Sequence, residues 1–230
     1  MLKQRSGELE IMDDLDINGP VIDQTLKELD VINRRLGGNQ ISLSSFENLL
    51  KTHNISSVAD LGCGGGDILI EMANIAFKRK KKTSFIGFDA NPHIIEYARN
   101  HTKQWPNITF EAENIFDAAF QKKHFDLIHC CLFLHHFTED ELVSLFRQFK
   151  TQAKVAIVVN DLQRHWLAYY SIKLITRFFS KSYMVRNDAA VSVARGFHRA
   201  EWKTIMQKAG IHQYELKWRW AFRWQLVIIL

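Results

Sequence analysis

Residues 58–67 read Val58-Ala59-Asp60-Leu61-Gly62-Cys63-Gly64-Gly65-Gly66-Asp67, an apolar run joined to a helical pattern through four glycines. So much glycine is costly inside a strand or helix but suits a tight strand-to-helix turn, because glycine takes positive φ without strain. It also lets a ligand approach bare main chain, which a nucleoside seated at a helix N-terminus requires. Asp60, at the end of the apolar run, would suit a ligand carrying positive charge. The Gly-x-Gly-x-x-Gly fingerprint of dinucleotide sites needs glycine at position 67, where this chain has Asp67. A carboxylate there would oppose a pyrophosphate, whereas a sulfonium with an α-amino group tolerates nearby acids. Without a ligand, the same loop would be only a tight turn.

The chain of 230 residues, 47% hydrophobic and 24% charged, is long enough for one α/β domain with its own core. Cys63, Cys130 and Cys131 form no disulfide framework, which points to a reducing cytoplasm. No apolar run is long enough to span a membrane, and no signal-peptide pattern opens the sequence. The net charge of +5 is matched by the five cations of Lys78-Arg79-Lys80-Lys81-Lys82, so the rest of the chain is neutral. That run reads as a solvated loop on the far side of the sheet from the ligand, with an RNA or anionic-membrane contact as the alternative.

The polar residues 1–19 read as irregular. Pro20 opens a helix that Gly37-Gly38 ends, and a second helix starts at Ser42 or Ser44. Strand patterns at 56–61, 83–88, 107–112, 124–131 and 153–159 then alternate with helices at 66–78, 91–103 and 138–149. This alternation predicts a mostly parallel sheet with helices on both faces. Residues 161–196 break the pattern with an aromatic and basic insertion, helical in its first half and a loop in its second. A helix at 199–209 and strands at 211–219 and 221–229 close the chain as an antiparallel hairpin. The expected organisation is one domain: a helical cap at 1–53, a ligand-binding core at 54–160, an aromatic lid at 161–198 and a terminal helix and hairpin at 199–230.

Asp60-x-Gly62-x-Gly64-x-Gly66 resembles the signature of class I S-adenosylmethionine-dependent methyltransferases, and further motifs follow in order over about residues 56–160. The resemblance implies a Rossmann-like, mostly parallel seven-stranded α/β sheet with a C-terminal antiparallel hairpin. It also implies S-adenosylmethionine as cofactor and S-adenosylhomocysteine as product. Asp89 closes the second strand 23 residues after Gly66, where a carboxylate accepts both ribose hydroxyls; a helix cap is the plainer role. Asn114, or Glu113 in the alternative register, would accept from the adenine amine beside Ile115. The implied cofactor set is Asp60, Gly62, Cys63, Gly64, Gly66, Asp89, Ala90, Glu113, Asn114, Ile115 and Cys131. At least one of Cys130 and Cys131 would be core packing. No residue is assigned to a metal.

Methyl transfer needs alignment and, for an OH or NH acceptor, removal of a proton, for which histidine is suited. His135 and His136 after the fourth strand and His165 after the fifth are the candidates, with His198 read as structural. An amphipathic helix at 162–179 bearing Leu162, Trp166, Tyr169, Leu174 and Phe178 reads as an acceptor lid, as edge packing or as a membrane-surface helix. The layout resembles methyltransferases of the ubiquinone/menaquinone-biosynthesis and polyketide/phenol groups. It implies O- or C-methylation of a small, largely apolar aromatic, quinone-like or polyketide-derived molecule. The alternatives are a nucleic-acid methyltransferase and a SAM-binding partner subunit without catalysis. The first is opposed by Leu132-Phe133-Leu134-His135, where Asn/Asp-Pro-Pro-Tyr/Phe would stand, so no nucleic-acid partner is expected. A peripheral membrane contact and the oligomeric state stay open.

Overall fold

In the computed structural model, which describes residues 2–230, the alternating pattern folds into a single seven-stranded sheet; residue 1 of the expected cap lies outside the described residues. The chain runs through α1 (Pro20–Arg35), α2 (Gly38–Thr52), β1 (Ser57–Leu61), α3 (Asp67–Lys78), β2 (Ser84–Asp89), α4 (Pro92–His101), β3 (Ile108–Ala112), α5 (Ala118–Gln121), β4 (Phe125–Cys131) and α6 (Glu139–Gln152). It continues with β5 (Ala153–Leu162), α7 (Trp166–Phe179), α8 (Tyr183–Arg195), α9 (Arg199–Lys208), β6 (Glu215–Arg219) and β7 (Arg223–Ile229). The strand order is β3-β2-β1-β4-β5-β7-β6. The first five strands are parallel, and β7 enters antiparallel between β5 and β6.

Buried strands feed both faces, as a doubly covered parallel sheet requires. Ala59, Ile128, Ile157 and Val159 pack with Phe146, Phe149 and Trp202 of α6 and α9. Their neighbours Val58, Leu127, Ala156 and Val158 pack with Phe46, Leu69 and Met72 of α2 and α3. Cys130 is fully buried in the first of these layers, the packing role foreseen for one of the paired cysteines. Thr138 caps α6 in a capping box with Glu141.

Several features differ from the sequence expectation: α5 was not foreseen, α7 begins at Trp166 rather than 162, and β6 begins at Glu215 rather than 211. Gly37 is the left-handed residue between two helices, so α2 starts at Gly38 rather than at a serine cap. β5 runs on through Asn160, Asp161 and Leu162, because β7 pairs with it as far as Leu162↔Arg223. The second half of the insertion is helix α8 rather than a loop; Ser182 caps it by accepting from Val185 N–H, and it packs against α1 and the turn at Ile11–Asp13 around the cleft.

The basic run lies at the opposite end of the sheet from the strand C-termini, with Lys80, Lys81 and Lys82 exposed just before β2. Among the described residues no helix is long and apolar enough to cross a membrane.

Gly62 has φ of +69°, and a Cβ there would lie 2.2 Å from the Phe133 ring. Gly62→Ala therefore combines left-handed strain of about 1–2 kcal/mol with displacement of that ring. Its urea unfolding midpoint is expected to fall, with a total loss of about 2–3 kcal/mol.

Candidate active site

The C-terminal ends of β1, β2, β4 and β5 open into a cleft of about 420 Å³, within the range of small-molecule sites. Its other walls come from α1, α8 and the N-terminal segment, through Leu26, Val185 and Glu10 among others. The structure brings Asp60, Gly62, Cys63, Gly64, Asp89, Ala90, Glu113, Asn114, Ile115, Cys131, His135 and His136 together around this one space. Two predicted residues stand outside it. Gly66 is the left-handed cap of α3, where a Cβ would meet the Phe110 ring at 2.7 Å. His165 caps α7 by accepting from Leu167 N–H and stacks on Phe222 at 5.0 Å. His198 caps α9 with Glu201, the structural role expected of it.

On the nucleoside side, Asp89 sits at the end of β2 and accepts from Asn91 N–H at 3.0 Å. Burial pushes its pKa up to about 6, against hydrogen bonds from the Asn91 and Gly64 amides that favour the charged form. Asn114 accepts from Phe116 N–H at 3.0 Å through Oδ1. Glu113 keeps a buried Oε2 with no hydrogen bond, 3.3 Å from Lys123 Nζ. Asp67 opens α3 with Arg34 at 3.9 Å and His101 at 3.6 Å. An acid at a helix N-terminus is favourable there, and it makes the turn a poor pyrophosphate seat.

Asp60 is buried against a partner that the sequence reading did not give it. His129 Nδ1 lies 2.7 Å from Asp60 Oδ1, and His129 Nε2 lies 2.9 Å from Ser42 Oγ. Asn160 donates to Ser42 Oγ and to Gly38 O, so a buried polar chain pins α2 to β1, β4 and β5. Burial pushes the Cys131 thiol up to about 12, so it stays neutral and is not a nucleophile.

The opposite end of the cleft is ionic. His135, buried, is bonded through Nδ1 to Asp161 at 2.7 Å, and its Nε2 lies 3.3 Å from Glu10 Oε1. Burial alone would lower the His135 pKa, but the charges of Asp161 and Glu10 raise it to about 9. His136 is bonded through Nδ1 to Asp13 at 2.6 Å. Although burial pushes Asp13 up, hydrogen bonds from His136 and Arg195 hold its carboxyl well below the usual range.

Glu10, His135 and His136 offer ligand atoms within 4.8 Å of one another, a set that suits a divalent cation by donor type. The Arg195 guanidinium bonds Asp13 at 2.5 Å and lies 4.0 Å from Glu10. With His135 protonated as well, the carboxylates already have their counter-charges, and the cluster reads as an ion-pair network. Glu10, Asp13, His129, Asp161 and Arg195 were all missed as site residues. Only the Glu10-x-x-Asp13 spacing, which forms a capping box, was a local signal.

A family model described as a methyltransferase domain matches residues 53–210. The carboxy-S-adenosyl-L-methionine synthase of Campylobacter jejuni is 23% identical over 215 residues, covering 84% of this chain and 85% of that protein. Among solved structures, the plantazolicin methyltransferase in complex with SAH superposes with a TM-score of 0.67 at 15% identity, over 90% of this chain and 88% of that one. The magnesium protoporphyrin IX methyltransferase of Synechocystis PCC 6803 with bound SAH gives 0.56 at 16% identity, over 85% and 84%. At these identities the superpositions speak for the fold, and the family match covers most of the chain. Together with the glycine turn and the cleft it opens, they show that this chain belongs to the methyltransferase domain family, as a class I S-adenosylmethionine-dependent methyltransferase.

Proposed function

We propose that this enzyme methylates oxygen or carbon on a small, largely apolar aromatic acceptor of phenolic, quinone-like or polyketide-derived type. The observation that carries the reading is one cleft with an apolar wall, including Leu26, Ile94, Phe133 and Val185, facing the ionic end at Glu10, Asp13 and His136. Such a cleft suits a flat apolar body with one polar end. The aromatic residues of α7 do not line it; α8 supplies the acceptor-side wall, so the lid role passes from the first helix of the insertion to the second.

S-adenosylmethionine, when bound, supplies a methyl group already activated by its sulfonium. Asp89 holds the ribose hydroxyls, and Ile115 packs on the adenine. Glu113, whose buried Oε2 has no hydrogen bond, would accept from the adenine amine, or Asn114 through the second lone pair of its Oδ1. Asp60, Gly62, Gly64 and Cys131 flank the methionine end. Asp13 fixes the His136 ring, leaving Nε2 to take a proton from an acceptor hydroxyl. His135, protonated between two carboxylates, orients Glu10 rather than serving as base.

The test is methyl transfer from labelled S-adenosylmethionine to a panel of phenols, hydroquinones and polyketide-type aromatics, with S-adenosylhomocysteine as the coupled readout. His136→Asn is expected to lower turnover about 10²–10⁴-fold with S-adenosylhomocysteine affinity unchanged. With a carboxyl donor added to the assay, a carboxylated S-adenosylmethionine product without S-adenosylhomocysteine release would instead align the chain with the Campylobacter jejuni relative.

The ribose role of Asp89 also sets a pH dependence. The ionised carboxylate accepts the two hydroxyls, and its pKa in the free protein is about 6. S-adenosylhomocysteine affinity is therefore expected to be flat above neutrality and to fall as pH drops through that value, by up to about tenfold per pH unit. Calorimetric titration across that range checks it.

A further inference from the structure

We propose that the outer face of α7, continued by the tip of the β6–β7 hairpin, docks this enzyme on an anionic lipid bilayer. Trp166, Tyr170, Leu174 and Phe178 recur every fourth residue along α7 and so form one stripe. They are 61%, 53%, 59% and 71% exposed, and Phe179 beyond them is 82% exposed. The inner side of the helix, with Ala168 and Thr176 buried, packs against α8.

The stripe does not stop at the helix. His165 lies 5.8 Å from the Trp166 ring and stacks on Phe222. Phe222 in turn contacts Trp218 at 6.4 Å and Trp220 at 6.0 Å, both largely exposed. Two elements far apart in sequence thus build one aromatic ridge, larger than the scattered apolar residues of an ordinary surface.

Charge selects the occupant. Between Asp161 and Asp188 the chain has no carboxylate and five cations. Arg164 is buried against Glu201, and Arg186 donates to Ser180 O. Lys173, Arg177 and Lys181 remain exposed beside the ridge. A second copy of this chain joined symmetrically through the same face would set these cations against one another. Anionic headgroups would meet them favourably while the Trp and Tyr rings sit at headgroup depth and Leu and Phe enter the acyl boundary. At 14 residues, α7 is too short to span a bilayer and long enough to lie in its plane. None of the ridge residues lines the cleft, so the docking stands independently of the acceptor's identity.

The experiment is flotation of the full-length protein with phosphatidylcholine vesicles, with and without phosphatidylglycerol. Binding to the anionic vesicles is expected to be about tenfold stronger than to the neutral ones and to weaken with added salt. The pair Trp166→Ser/Phe178→Ser is expected to lower partitioning about tenfold, and Lys173→Glu/Arg177→Glu to remove the preference for anionic lipid. Unchanged S-adenosylhomocysteine affinity in both variants shows that the fold is intact. Failure of the wild type to bind either vesicle overturns the proposal. So does equal, salt-independent binding to both, or a stable dimer in sedimentation equilibrium that the Trp166→Ser/Phe178→Ser variant dissociates.

Discussion

Asp89→Ala is expected to weaken S-adenosylhomocysteine binding by about 10²–10⁴-fold in calorimetric titration, with little change in the unfolding midpoint of the free protein. Each hydrogen bond from a ribose hydroxyl to the carboxylate is charge-assisted and contributes about 1.5–3 kcal/mol, and every 1.4 kcal/mol is tenfold in affinity. The free protein gains and loses in comparable measure. Its Asp89 pKa is raised to about 6, so the ionised group is disfavoured by burial above that pH, and removing it relieves that cost. The loss is that of the bonds from the Asn91 and Gly64 N–H groups. Asp89→Asn, which keeps one carbonyl acceptor, should fall between wild type and alanine. Unchanged affinity in the alanine variant would end the ribose assignment; tight binding of NAD by the wild type would end the cofactor assignment as well.

Removal of the Asp161 carboxylate should have the largest effect on stability. Asp161 accepts from the main-chain N–H groups of Leu134 and His135 and from His135 Nδ1, all buried. Asp161→Ala strands these two amide donors, the Leu162 N–H from which Asp161 also accepts, and the His135 imidazolium, and breaking such a buried pair costs about 3–5 kcal/mol. Urea denaturation should show it as a large fall in midpoint, with the ionic end of the cleft disordered and methyl transfer lost. The interaction has a signed pH dependence. His135 has its pKa raised to about 9, so its stabilising contribution is complete below the ordinary histidine value and is lost as pH rises through 9. Wild-type stability should therefore decline on the alkaline side, and the variant should lack that decline.

The glycine turn, the acids at the ends of β1 and β2 and the terminal hairpin were legible because each is a local pattern with a local cause. Asp60, Gly62 and Asp89 meet in the cleft because parallel strands bring their C-terminal ends to one edge, whatever the packing elsewhere. The ionic end was not legible. Glu10 lies 125 residues before His135, and nothing local in either segment announces the other. The extension of β5 was hidden for a related reason: Asn160 and Asp161 end the apolar run, and only pairing with the antiparallel β7 keeps the strand going. The sequence expectation of an amphipathic helix at 162–179 holds from Trp166 onward, whereas Leu162 belongs to β5. Which side of that helix the molecule would cover could not be read, since α8, which covers it, looked like a loop.

The N-terminal segment has a consequence for how fast ligands come and go. Of residues 2–19 only Glu10 is buried, and no apolar side chain there is taken fully into the interior. Beside the packing of Met12 and Ile17 on Ile22, Leu26 and Ile94, the segment is held by directed polar contacts: Arg5 to His135 O and Arg195 O, Ile11 and Met12 N–H to Asp188, and Asp13 to His136 and Arg195. Such contacts release together in local openings that leave the sheet untouched, at a small fraction of the global unfolding free energy. The cleft thus has one wall that can peel away while the glycine turn and Asp89 stay in place. Residence time is then tied to the opening of this wall more than to the unfolding of the core.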